Sequence, residues 1–332
     1  MITYFFRKRS QGQHSIEELF EGIIEYISGH HKTVVHEMPF KKASALKILK
    51  NIRFAKKFRS CGGVNHITGD INYVALGLGK NTILTIHDIS SGLAGGKLKK
   101  LLFRYFWLVL PARRVGAITV ISNTSYLEVL KYIPFAKKKI HIVYNPFRKE
   151  LLDRSKRDST IKGIAKVLLM GTKPNKNIER CFKSFAGLSI KVVIVGTLTT
   201  DQKELAVLEG IDWEERSSLT YQEVVDTYLE SDILCFPSTY EGFGLPIIEA
   251  QVLGVPVITS NFGAMREVAG DGALTVDPYS TEDIKSAIQS LIKEEELKKR
   301  LIRAGFDNSK KFHPDRIAKQ YLKVYDEVNA YA

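Results

Sequence analysis

Four short apolar runs, each passing straight into a small, polar, glycine-bearing loop, limit what this chain can become more than any other feature. They are residues 167–170 before Gly171-Thr-Lys-Pro-Asn-Lys-Asn177, and 192–195 before Gly196-Thr-Leu-Thr-Thr200. The other two are 233–236 before Pro237-Ser-Thr-Tyr-Glu-Gly-Phe-Gly244, and 257–258 before Thr259-Ser-Asn-Phe-Gly-Ala-Met265. Runs this apolar and this short are strands buried on both faces, a property of parallel sheets covered by helices. Parallel strands need crossover connections, and right-handed crossovers put all four loops on one edge of the sheet. The expected class is therefore α/β, with ligands bound at that edge.

The third loop has the most specific chemistry. Gly242 and Gly244 let backbone N–H groups approach a ligand with no Cβ in the way. Pro246 suits the first position of a helix and Gly254 its end. Strand, glycine loop and helix N-terminus together make an anion site. Glu241 and Glu249 flank it, and a carboxylate can accept two hydrogen bonds from a vicinal diol. Lys173 and Lys176, on the first loop, face the same crevice. An anion beside a diol describes a nucleotide-sugar.

The first half repeats the class with weaker signals. Strands are expected at 2–6, 34–36, 64–69, 82–88, 117–122 and 140–145. A loop over 7–14 carries one glycine, Gly12, and Ser15-Ile-Glu-Glu18 has capping-box spacing. His66 and His87-Asp88 are expected at carboxyl ends of parallel strands. Two basic amphiphilic segments, 43–59 and 97–114, read either as helices packed on the sheet or as membrane-contacting faces. In the second of these, Arg104 interrupts and Pro111 stops the apolar core. A polar run over 148–160 reads as a linker, dividing the chain into domains at 1–150 and 151–332. Residues 282–303 read as one exposed charged helix and 314–331 as a closing amphipathic one.

Charge separates the halves. Residues 1–150 hold 25 lysines and arginines against 9 acidic residues, a net +16, whereas 151–332 hold 24 against 27. Nucleic acid, an anionic membrane or a phosphorylated substrate are each compatible with such a surface, but no nucleic-acid recognition motif accompanies the charge. Three scattered cysteines without Cys-x-x-Cys spacing read as reduced thiols of a cytosolic protein. The opening residues do not have secretory-signal order, and no run approaches the ~20 apolar residues of a membrane span.

Glu241-Gly-Phe-Gly-Leu-Pro-Ile-Ile-Glu249 resembles the E-x7-E signature of family 4 glycosyltransferases (glycosyl transferases group 1), retaining enzymes of the GT-B fold. Phe236-Pro-Ser-Thr-Tyr240 before it, Gly254-Val-Pro-Val-Ile-Thr-Ser260 after it and Met265-Arg-Glu-Val-Ala-Gly270 extend the resemblance. Gly171–Asn177 resembles the basic loop that meets the donor diphosphate, and Thr85-Ile-His-Asp88 the histidine motif of the first domain. Ile121-Ser122 and Tyr144-Asn145-Pro146 fall in their usual order.

The resemblance implies two Rossmann-like domains with parallel sheets facing across a cleft, and a C-terminal helix crossing back to the first. It implies a bacterial-type enzyme that transfers a sugar from a UDP- or GDP-hexose to a glycan or lipid-linked acceptor of the cell surface. Such an enzyme works in the cytoplasm, peripheral on the inner membrane face. Glu249 would bind the ribose, and Glu241 with the amides of Gly242, Phe243, Gly244 and Leu245 would hold the transferred sugar. Lys176 would stabilise the leaving diphosphate, supported by Gly171, Thr172 and Lys173, and His87 would reach the sugar from the other domain. Acceptor recognition would lie in residues 1–60. No Asp-x-Asp occurs, so no metal and no cofactor is expected. Thr172 departs from the arginine common in relatives, a charge only Lys173 could supply. Other GT-B chemistry, such as nucleotide-sugar epimerisation, and a non-enzymatic nucleotide-sugar-binding protein are the competing readings.

Overall fold

A computed structural model describes residues 1–9, 15–41, 44–89, 96–154, 161 and 163–330. The loop glycine Gly12, the side chain of Ser15 and residues 155–160 of the expected linker lie outside the described residues. The chain forms two compact units: Met1–Arg148 with Pro314–Ala332, and Lys149–His313.

Each unit is built on a six-stranded parallel sheet with helices around it. In the first, the strands are β1 (Ile2–Phe6), β2 (Thr33–Glu37), β3 (Val64–Ile67), β4 (Thr82–Ile86), β5 (Ala117–Val120) and β6 (Ile140–Ile142), ordered β2-β1-β3-β4-β5-β6. In the second they are β7 (Ala165–Met170), β8 (Ile190–Val195), β9 (Asp212–Arg216), β10 (Ile233–Phe236), β11 (Val257–Ser260) and β12 (Leu274–Val276), ordered β12-β11-β10-β7-β8-β9. Every strand pair is parallel. The central strands β1, β3, β4, β5, β10 and β11 are buried along their whole length, as continuous apolar runs require.

Two segments depart from the sequence reading. The segment over 97–114, read as an ordinary helix, is not one regular α-helix. It runs as an α-helix (Lys97–Phe103), a π-helical turn (Arg104–Val109) and a further α-turn (Leu110–Arg114). Pro111 falls in the first turn after the π segment, where its missing N–H costs little. The expected single helix over 282–303 is two, Thr281–Lys293 and Glu295–Ser309. Nor is it simply exposed, because Ile284, Ala287, Ile288 and Leu291 are buried.

The last helix, Pro314–Asn329, lies in the first unit. Its stripe Ile317, Ala318, Tyr321, Val324, Tyr325 and Val328 is buried at helical spacing. The Tyr325 hydroxyl donates to the hydroxyl of Tyr4 at 3.1 Å and lies 2.8 Å from His66 Nδ1. His66 Nε2 is 2.7 Å from Thr85 Oγ1. The expected strand-end histidine is therefore a core residue that ties the C-terminal helix to the middle of the sheet.

Burial, with His87 nearby, pushes the His66 pKa down to about 3. The folded chain then refuses a proton that the unfolded chain accepts at about pH 6.5. Stability contributed by neutral His66 is complete above that pH and falls as pH drops toward 3, by up to about 1.4 kcal/mol per pH unit. Urea denaturation between pH 7 and 5 should show a shallower pH dependence in His66→Gln than in the wild type. Equal slopes would refute this.

Candidate functional site

In the second unit the chain passes from β7 outward to β8 and β9, then returns to the other side of β7 to add β10, β11 and β12. The topological switch thus lies between β7 and β10, the place where open sheets of this kind bind ligands. Two loops meet there, one after each strand, and both were singled out in the sequence.

The loop after β7 is shaped by backbone geometry. Gly171 has φ +85°, and a Cβ there would come within 3.2 Å of Lys176 Cε, so the lysine stem lies against bare backbone. Residues Pro174–Lys176 form one 3-10 turn, ended by Asn177 in the left-handed region at φ 64°. The Asn177 amide donates to the carbonyls of Pro237 (3.0 Å) and Pro278 (2.7 Å), joining this loop to those after β10 and β12. Thr172 donates its hydroxyl to the carbonyl of Thr197 at 2.8 Å, and the side chain of Lys173 is exposed.

Lys176 and Glu241 meet directly. The ammonium donates to Glu241 Oε1 at 2.6 Å and sits 4.4 Å from the centre of the Phe236 ring. Asn175 Nδ2 donates to the same carboxylate oxygen at 3.1 Å and to the carbonyl of Tyr240 at 2.9 Å. The side chains of Lys176 and Glu241 keep 18% and 16% of their surface exposed, so a ligand can reach both charges. A cation and an acceptor held this close can serve a bound anion and a hydroxyl side by side.

Gly244, at φ +117°, is the N-cap of the helix Leu245–Leu253. The ring of Phe243 is buried against Phe312, so only its backbone is offered to a ligand. Glu249 is the fifth residue of this helix, one position beyond its first turn. Its carboxylate accepts from the hydroxyls of Tyr228 (3.0 Å) and Tyr221 (3.4 Å). Burial, and next the Glu249 charge, raise the Tyr228 pKa well above its ordinary value, which keeps that hydroxyl protonated as a donor.

Sequence reasoning missed Asn175, Tyr221 and Tyr228. Asn175 sits inside a loop already marked, so its role was within reach. The tyrosines, seven residues apart on one helix, give no signal until Tyr221–Glu230 is seen beside Leu245–Leu253.

His87 lies in the first unit, just beyond β4. It is buried, and its Nε2 lies 2.7 Å from the carbonyl of Thr68. A carbonyl can only accept, so Nε2 carries the hydrogen. Burial lowers its pKa, partly offset by Asp70, which leaves the ring neutral with Nδ1 as an acceptor. A Cβ on Gly69 (φ +142°) would stand 2.6 Å from the ring, so glycine is required beside it. Glu241, Lys176, Gly171 and the amides of 242–245 are thus grouped in one unit, with Glu249 on the adjoining helix, and His87 is in the other.

Residues 155–307 match the family described as glycosyl transferases group 1. The chain is 27% identical over 222 residues to the O-antigen chain mannosyltransferase RfbU of Salmonella typhimurium, covering 64% of this chain and 61% of that relative. A glycosyltransferase structure from Rickettsia africae superposes with a TM-score of 0.78 at 16% identity, covering 100% of this chain and 99% of that one. Anabaena Alr3699/HepE, solved in complex with UDP and glucose, gives 0.75 at 14% identity, covering 98% and 99%. These likenesses bear out the resemblance to glycosyl transferases group 1 and the fold, GT-B with two Rossmann-like units.

Proposed function

We propose that the chain is a retaining, metal-independent glycosyltransferase of family 4 that moves a hexose from a UDP- or GDP-sugar to a glycan or lipid-linked acceptor in cell-surface polysaccharide synthesis. The observation that carries this is the Lys176–Glu241 pair at the switch point of the second sheet, beside the start of a helix. Lys176 and the helix N-terminus neutralise the diphosphate as it leaves. Glu241 accepts from a hydroxyl of the transferred sugar, with the amides of Gly242 to Leu245 as donors. Gly171 keeps the Lys176 stem in place, and Thr172 and Lys173 border the phosphate path. Glu249, oriented by Tyr228 and Tyr221, accepts from both ribose hydroxyls. Relatives named for mannosyl transfer and a neighbour holding UDP and glucose support a hexosyl donor.

The test is a panel of UDP-, GDP- and ADP-sugars scored by thermal stabilisation, followed by transfer assays with the stabilising donor. One donor class should raise the melting temperature, turnover should survive EDTA, and product NMR should show the donor's anomeric configuration. No stabilisation by any nucleotide-sugar would reject the reading. Conversion of the donor without acceptor to an epimer would replace it by epimerisation.

The first unit supports peripheral attachment to an anionic membrane. On the helix Ala45–Phe58, exposed Leu46 and Leu49 alternate with Lys47, Lys50 and Arg53, and across the junction of the helix Lys97–Phe103 with the π-helical turn exposed Leu101, Leu102, Tyr105 and Phe106 surround Arg104. No helix among the described residues is long and apolar enough to cross a membrane. The chain should co-sediment with anionic vesicles at low salt and detach at high salt. Failure to bind at low salt would remove this part.

A further inference from the structure

The first unit contains a cavity of about 190 Å³ lined by Asp70, Asn72, Ile86, His87, Asp88, Ile89, Phe103 and Trp107. It lies at the carboxyl edge of β3 and β4, not in residues 1–60 where the sequence placed acceptor recognition. Its size exceeds the ~150 Å³ that accommodates one benzene ring and falls short of the ~300 Å³ at which drug-sized sites begin. A single six-membered ring is the natural occupant.

The walls differ in character. One is aromatic: Phe103 and Trp107 stack with ring centres 5.8 Å apart and planes at 19°, and Tyr73 meets Trp107 edge-on at 4.9 Å. Trp107 belongs to the π-helical turn, whose carbonyl at Trp107 accepts from Asn72 Nδ2 at 3.0 Å. π turns are uncommon and frequent at functional sites. The other wall is polar. Asp70 stands in the left-handed region at φ 55° and is held there by Arg7, 2.5 Å away. The other face of the Arg7 guanidinium grips the buried Glu17 at 2.7 and 3.2 Å. A non-glycine residue in that conformation costs of order 1 kcal/mol and persists only where its surroundings impose it. His87 presents Nδ1, which has no partner among the described residues.

An aromatic face opposite a rim of carboxylate, amide and imidazole groups suits a pyranose, whose C–H face packs on the π cloud while its hydroxyls turn outward. The charge narrows the choice. Within a unit of strongly basic sequence, the described residues of the lining include two aspartates and no lysine or arginine. An anionic ring would face the exposed carboxylate of Asp88, while the charge of Asp70 is already paired with Arg7, and like-charge contact is a means of rejection.

We propose that this cavity is the subsite for the terminal ring of the acceptor and that it takes one uncharged pyranose, with Trp107 and Phe103 beneath the ring and Asp70, Asn72, Asp88 and His87 at its hydroxyls. The assignment rests on the glycosyltransferase reading for the word acceptor, though not for the binding of a sugar ring.

Saturation-transfer NMR tests it with methyl α-mannopyranoside, methyl α-glucopyranoside and the uronate of the latter. The neutral glycosides should show transfer to their ring C–H protons and the uronate little. Trp107→Ala should weaken neutral binding about 3- to 10-fold, the loss of one aromatic contact. Asp88→Asn removes charge from an exposed position and should narrow the gap between uronate and neutral glycoside. Transfer should persist when a saturating UDP- or GDP-sugar is added. Absence of transfer from all glycosides, a uronate preference, unchanged binding in both variants, or displacement by the nucleotide-sugar (which would make this the donor-sugar subsite) would each overturn the proposal. Glycoside binding without any nucleotide-sugar stabilisation would leave the subsite standing and reject the enzyme.

Discussion

Lys176→Met is expected to lower kcat for sugar transfer about 100- to 1,000-fold, the range seen when one preorganised group facing developing charge is removed. Methionine keeps an unbranched stem, so the packing against Gly171 remains, while the contact of the ammonium with the Phe236 ring is lost with the charge. What disappears is the only cation seen bonded to the Glu241 carboxylate among the described residues. As the glycosidic bond breaks, negative charge grows on the diphosphate, and the ammonium counts for more in that state than in the ground state. The loss should therefore appear in kcat more than in donor KM. Steady-state kinetics with the stabilising donor decides it. A kcat within about threefold of wild type would exclude Lys176 as the group facing the leaving group.

Glu241→Gln is expected to cost about 10- to 100-fold in kcat/KM, corresponding to the ~1.5–3 kcal/mol of a charge-assisted hydrogen bond. Glutamine keeps the shape and can still accept from Asn175, so the melting temperature should move little. Two effects combine: the sugar hydroxyl loses an anionic acceptor, and Lys176 loses its resting partner. Because the two side chains share one contact of 2.6 Å, the double variant Lys176→Met/Glu241→Gln should fall well short of the summed losses. Additive losses, or an unimpaired Glu241→Gln enzyme, would show that the pair does not act as a unit.

Much of this was legible in the sequence because buried parallel strands leave a strong signature. The runs at 167–170, 192–195, 233–236 and 257–258 all became strands of one sheet. Gly244, singled out in the sequence for close backbone approach, has positive φ, as does Gly171. Strand β9 left no such mark. Its sequence Asp-Trp-Glu-Glu-Arg has no apolar alternation, and it is a strand because it pairs with β8 at the sheet edge. Ion pairs hold its charges: Arg216 with Glu214 at 2.6 Å and Glu230 at 2.9 Å, and Lys203 with Glu215 at 3.3 Å. The three-residue β12 was too short to register.

Local sequence by itself determined the α/β class, the glycine-bearing character of the loops, and the chemistry of the 171–177 and 237–249 segments. Those properties depend on a residue and its near neighbours: apolar periodicity, the absence of a Cβ, the proline that starts a helix. Tertiary structure alone decided which side chains share a contact. It put Lys176 on Glu241 across 65 positions, Tyr228 on Glu249, and His66 under Tyr325 across 259. It also folded the ring-sized cavity from three segments that are unremarkable when read singly. Strand order settles these pairings, and strand order follows from burying both faces of the whole sheet at once, a condition no short window of sequence contains.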